Sequence, residues 1–90
     1  MPSPPPTTRQ IFASNLRRAR RLRDLTQESL ALGAGVPRAY LSRVERGSIN
    51  ISIDSADALA RAIGIPLHEL VDPKFRGPDD DHPQKGRQAS

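Results

Sequence analysis

Apolar residues in the middle of the chain recur three and four positions apart, the spacing of one helix face, and five such runs predict five helices. The first covers about Arg9 to Arg23. Phe12, Leu16, Ala19 and Arg23 share one face, while Arg17, Arg18 and Arg21 look outward. Thr7 and Gln10 have the spacing of a capping box, in which each side chain satisfies a backbone N–H of the other. The second helix opens at Thr26, a good cap, and turns Leu30, Ala31 and Ala34 inward. Gly35 is placed for the left-handed turn that ends it. The third runs from about Pro37 to Arg46, with Leu41 and Val44 inward, Tyr40 at their flank and Gly47 as the stop. Ser52 caps a fourth that buries Ala56, Leu59, Ala60 and Ile63 and ends at Gly64. Pro66 opens a short fifth with Leu67, Leu70 and Val71. Ile49, Ile51 and Ile53 alternate with the period of a strand, but no second strand is available to pair with them. A loop leading into a helix start is expected there, and the fold class is all-α.

Both ends differ from this middle. Residues 1–7 are proline-rich and expected to be extended and flexible. Residues 72–90 hold three Pro, two Gly and mixed charge with almost no apolar content, so a disordered tail is expected. The folded domain is assigned to residues 8–71.

Composition narrows the chemistry. In 90 residues there are two Phe, one Tyr and no Trp, so the core must be aliphatic. No Cys is present, which excludes a disulfide scaffold and thiolate metal ligation. His68 and His82 are the only histidines, and His82 falls in the tail. No metal pair, no cofactor loop and no catalytic constellation can be assembled from them, so an enzyme is not expected. The longest nearly apolar run, Leu30 to Val36, is far short of the ~20 residues of a membrane span. The N-terminus has neither a basic start nor an apolar stretch, so a cytoplasmic protein is expected.

The net charge of +4 conceals an asymmetry. Residues 9–46 carry nine Arg against Asp24, Glu28 and Glu45, a surplus of six positive charges. Residues 47–71 carry Arg61 against Asp54, Asp57 and Glu69. A basic block confined to one half of a small domain fits a polyanion partner.

Two short helices joined by a tight glycine turn form a helix-turn-helix, here Thr26–Ala34, Gly35-Val36 and Pro37–Arg46. Such a unit projects the first half of its second helix into a major groove. The outward residues there are Arg38, Ala39, Ser42 and Arg43. Arg can grip guanine through two hydrogen bonds, and Ala or Ser can meet a thymine methyl or a polar base edge.

The run T-Q-E-S-L-A-L-G-A-G-V-P-R-A-Y-L-S-R-V-E-R-G resembles the Cro/C1-type, or XRE, family of helix-turn-helix regulators. The resemblance spans roughly residues 11–71 without an insertion. It implies a five-helix, lambda-repressor-like bundle that binds operator DNA as a homodimer. It further implies base contacts from Arg38, Ala39, Ser42 and Arg43, and phosphate contacts from Thr26, Gln27, Tyr40 and Arg46. Arg20 and Glu45 match a family ion pair between the first helix and the end of the third. Pro37 and Pro66 depart from the pattern, since proline suits a helix start but offers no capping oxygen. Arg46 to Ser52 is similar to the matching loop of restriction–modification controller proteins. Ile49, Ile51, Leu67, Leu70 and Val71 exceed the apolar surface that so small a bundle can cover, and are expected at the dimer interface.

The function expected is therefore sequence-specific transcription regulation, with double-stranded DNA as partner and RNA polymerase or another protein as further candidates. Glu28 lies where activating relatives present acidic residues. The rival is an antitoxin or other protein-binding module built on the same fold. Operator sequence and sign of regulation are not legible.

Overall fold

Thr7 starts the first helix in the computed structural model, which describes residues 3–77. Its hydroxyl accepts from the N–H of Gln10 at 3.1 Å, and its own N–H donates to Oε1 of Gln10 at 2.9 Å. The expected capping box is therefore formed. Five helices follow: α1 Thr8–Leu22, α2 Gln27–Ala34, α3 Arg38–Glu45, α4 Ile53–Ile63 and α5 Leu67–Leu70. Among the described residues there is no strand, and the alternating isoleucines form loop and helix start.

The remaining boundaries follow local chemistry. Thr26 and Ser52 accept from the N–H groups of Ser29 and Ser55 and so cap α2 and α4. Gly35 and Gly64 end the same two helices at φ 73° and 78°, the left-handed region that favours glycine. Pro37 and Pro66 start α3 and α5 without a side-chain cap.

Each helix delivers at least one fully buried aliphatic residue to a common centre: Leu16, Leu30, Leu41, Leu59, Ile63 and Leu70. Burying a side chain of this size stabilises the fold by ~1.5–3 kcal/mol. Val36 and Tyr40 pack against this cluster at its edge, where the helix-turn-helix pattern puts them.

Arg23 takes a role that its spacing alone does not show, and one boundary needs correction. Arg23 shares the spacing of Phe12, Leu16 and Ala19 but is no core residue. It is the exposed C-cap of α1, and its guanidinium donates to the carbonyl of Ile63 at 2.7 Å, tying the ends of α1 and α4 together. The structured part also continues past residue 71. Asp72 accepts the N–H of Phe75 at 3.0 Å, and the Phe75 ring packs against the core. Residues 78–90 of the expected disordered tail, and residues 1–2 of the proline-rich start, lie outside the described residues.

Candidate nucleic-acid interface

The third helix has two unlike faces. Leu41, Val44 and Glu45 are buried, while Arg38, Ala39, Arg43 and Arg46 are exposed; Tyr40 and Ser42 are half-buried. Eight residues make just over two turns, so this division leaves one continuous outer stripe. All four residues expected to face bases therefore sit on the side turned away from the core.

Glu45 fastens that helix. Its side chain is 2% exposed and receives Arg20 through Nε at 2.7 Å and Nη2 at 3.0 Å. Gln27, at the first position of α2, donates its Nε2 to Oε1 of Glu45 at 3.1 Å. Arg20 also donates Nη1 to the carbonyl of Leu25 at 2.8 Å. One carboxylate thus joins α1, α2 and α3, and a buried charge is sustainable only with such partners.

The groups expected to meet phosphate are placed as follows. Thr26 is exposed, and its oxygen already accepts from Ser29, so its O–H proton is the part it can offer. Gln27 is half-buried beside Glu45. Arg46 donates Nη1 to the hydroxyl of Ser42 at 3.2 Å, one turn earlier on α3. Ser48 donates both N–H and O–H to the carbonyl of Arg43, which closes the end of the helix. Arg20, Arg21, Thr26, Gln27, Glu28 and Arg38 surround an open concavity of about 570 Å³ between the start of α2 and the start of α3. The salt bridges among the described residues are Arg20–Glu45 and Arg61–Asp57. Arg38, Arg43 and Arg46 therefore present their charges without a carboxylate partner there.

Apolar surface is concentrated elsewhere. A concavity of about 440 Å³ is lined by Phe12, Ile51, Ile53, Leu67 and Val71, with Thr7, Thr8 and Arg9 on its rim. It holds three of the five residues expected at a dimer interface. Ile49 is half-buried against the core and does not line it. Leu70 is a correction: at 0% exposure it is a core residue and offers nothing to a partner. Its place on the surface is taken by Ile53, 77% exposed at the first position of α4.

Sequence reasoning missed Asn15, which is buried and donates its amide to the carbonyls of Leu70 and Asp72 at 3.0 and 2.9 Å. A signal existed, because Asn15 falls three residues after Phe12 and four before Ala19, on the apolar face of α1. Among the described residues there is no cluster of three potential metal ligands, and no helix is long and apolar enough to cross a membrane.

Comparison with known proteins agrees with this geometry. Residues 16–70 match the family model described as helix-turn-helix. The HTH-type transcriptional regulator y4dJ of Sinorhizobium fredii is 39% identical over 70 residues, covering 78% of this chain and 91% of the relative. Control protein C.BamHI of Bacillus amyloliquefaciens is 32% identical over 65 residues, covering 71% of this chain and 80% of that protein. The crystal structure of the restriction-modification controller protein C.AhdI from Aeromonas hydrophila superposes with a TM-score of 0.66 at 39% identity. It covers 69% of this chain and 94% of that one.

Proposed function

The chain belongs to the helix-turn-helix family that its residues 16–70 match, and from that membership we propose a sequence-specific DNA-binding regulator of transcription acting as a homodimer. The observation that carries the proposal is the two-faced third helix. Its inner face is fixed by Leu41, Val44 and Glu45, and its outer face offers Arg38, Ala39, Ser42 and Arg43 to a major groove. Arg38 and Arg43 grip guanine edges, and Ala39 meets a thymine methyl. Thr26, Gln27, Tyr40 and Arg46 hold backbone phosphates and set the register.

The homodimer uses the apolar concavity of Ile51, Ile53, Leu67 and Val71. A two-fold axis there sets two recognition helices ~34 Å apart, over half-sites one DNA turn apart. One of the three similar proteins above is named a control protein and another a restriction-modification controller protein, which supports a controller role for this chain. Exposed Glu28, in the first turn of α2, is the acidic group offered to RNA polymerase.

Selection from randomised duplexes, followed by footprinting on the DNA upstream of the gene, tests this reading. The expected result is a two-fold symmetric site whose affinity falls ~10³–10⁵-fold between 50 and 200 mM salt, for six to ten phosphate contacts per dimer. No enrichment, or an affinity indifferent to salt, overturns it.

A further inference from the structure

Arg17, Arg18 and Arg21, with Ser14 and Leu22, line a shallow concavity of about 290 Å³ on the outer side of α1. No carboxylate lines it, and none of the three arginines takes part in a salt bridge among the described residues. Arg17 and Arg21 are one turn apart, and like charges at that spacing destabilise a helix. The dipole at the C-terminal end of α1 compensates cations only in the last turn, so it accounts for Arg21 and leaves Arg17 and Arg18 without a reason inside the fold. Arg21 also lines the larger concavity that contains Thr26, Gln27 and Arg38. The two concavities therefore meet at Arg21, and the larger also holds Glu28 among its arginines.

We infer that Arg17, Arg18 and Arg21 form a phosphate-binding strip that lets α1 follow the DNA backbone beyond the phosphate at the start of α2. The inference rests on the DNA-binding reading above and adds contacts outside the helix-turn-helix. Guanidinium groups suit the role, because their planar forks pair with phosphate oxygens two at a time and are always charged. The strip carries no sequence information. It lengthens the backbone footprint of each half-site and adds to the salt dependence.

The test compares wild type with the double variant Arg17→Gln/Arg18→Gln on the duplex recovered by selection. Arg18 is exposed and Arg17 half-buried, neither belongs to the core, and Gln has a helix propensity close to that of Arg, so the fold is retained. Phosphate-ethylation interference should show, for wild type, blocked positions at one edge of each half-site that disappear in the variant. The slope of log affinity against log salt should fall by ~0.9 for each phosphate that the variant no longer neutralises, while the preferred bases stay the same. An interference pattern and slope equal to wild type overturn the strip and leave the helix-turn-helix reading intact. A changed base preference also overturns it, because a backbone strip reads no bases. A wild type that binds no duplex removes both.

Discussion

Arg20 and Glu45 meet side-on, Nε to Oε2 at 2.7 Å and Nη2 to Oε1 at 3.0 Å, with the carboxylate 2% exposed. The pair lies 25 positions apart in sequence and is the polar joint between α1 and the recognition helix. Gln27 completes it from α2. A buried pair of this kind adds little net stability over apolar residues of the same volume, but it cannot be broken on one side. Its contribution is placement: the outer stripe of α3 faces solvent because the inner end is clamped here.

Arg20→Ala should therefore cost about 3–5 kcal/mol, a large part of the stability of a domain this small. Glu45→Gln should cost less, since its amide oxygen still accepts from Arg20. The double change Arg20→Met/Glu45→Leu should recover most of the loss. Urea unfolding midpoints of the three variants check this. A midpoint for Arg20→Ala equal to wild type would contradict the clamp.

Asn15 gives a second prediction. Its amide satisfies two carbonyls at the end of α5, Leu70 and Asp72. Asn15→Ala orphans the buried Leu70 carbonyl, at about 1–3 kcal/mol, whereas the part-buried Asp72 carbonyl keeps the Phe75 N–H. Asn15→Asp should be worse despite its matching shape, because a carboxylate facing two carbonyls has no proton to donate. A chain ending at Val71 loses the Asp72 acceptor and the Phe75 ring, whereas one ending at Gly77 keeps both. Thermal unfolding should rank the shorter chain below the longer. Equal midpoints would show that residues 72–77 add nothing to the fold.

How much was legible follows from what each feature depends on. Helix starts at Thr7, Thr26 and Ser52, and the turns at Gly35 and Gly64, depend on chemistry within four residues, and all were readable. The face of α3 depends on periodicity, so the surface positions of Arg38 and Arg43 were readable too. Asn15 and Arg23 escaped because their partners, Leu70 and Ile63, lie 55 and 40 positions away. Periodicity ranks Arg23 with the apolar face of α1, and the excess of apolar residues, not periodicity, ranks Leu70 with the surface. Only the path of α5 across α1 reverses the second ranking, and a four-residue helix has too few positions to reveal its faces.

That reversal changes how the dimer must be probed. Leu70→Asp places a charge in the core and should unfold the chain, so it reports nothing about association. Ile53→Asp is the clean probe. Ile53 is 77% exposed in the first turn of α4, where a negative charge is favoured by the helix dipole. Sedimentation at micromolar concentration should show wild type as a dimer and Ile53→Asp as a folded monomer, with helical circular dichroism unchanged. A wild type that remains monomeric even on DNA would refute the interface.

The last prediction separates residues that read bases from those that hold the backbone. Arg43 is exposed one turn into α3, and its side chain forms no hydrogen bond among the described residues. It is free to grip guanine O6 and N7, a contact worth ~1–3 kcal/mol of discrimination. Arg43→Ala should weaken operator binding and relax preference at one base pair in each half-site. Arg46 caps the far end of the helix and leans back on the hydroxyl of Ser42 at 3.2 Å. From there it reaches the backbone, so Arg46→Ala should weaken all sequences about equally and lower the salt slope by about one unit per half-site. Ser42 is then split between two tasks. Its oxygen accepts from Arg46, and only its proton remains for a base acceptor. Ser42→Ala should lose part of the Arg46 effect as well as its own, so the two changes combined should cost less than their sum. Randomised half-site selections on each variant measure both quantities. If Arg46→Ala altered the preferred sequence while Arg43→Ala left it unchanged, the recognition helix would lie in the groove the other way round.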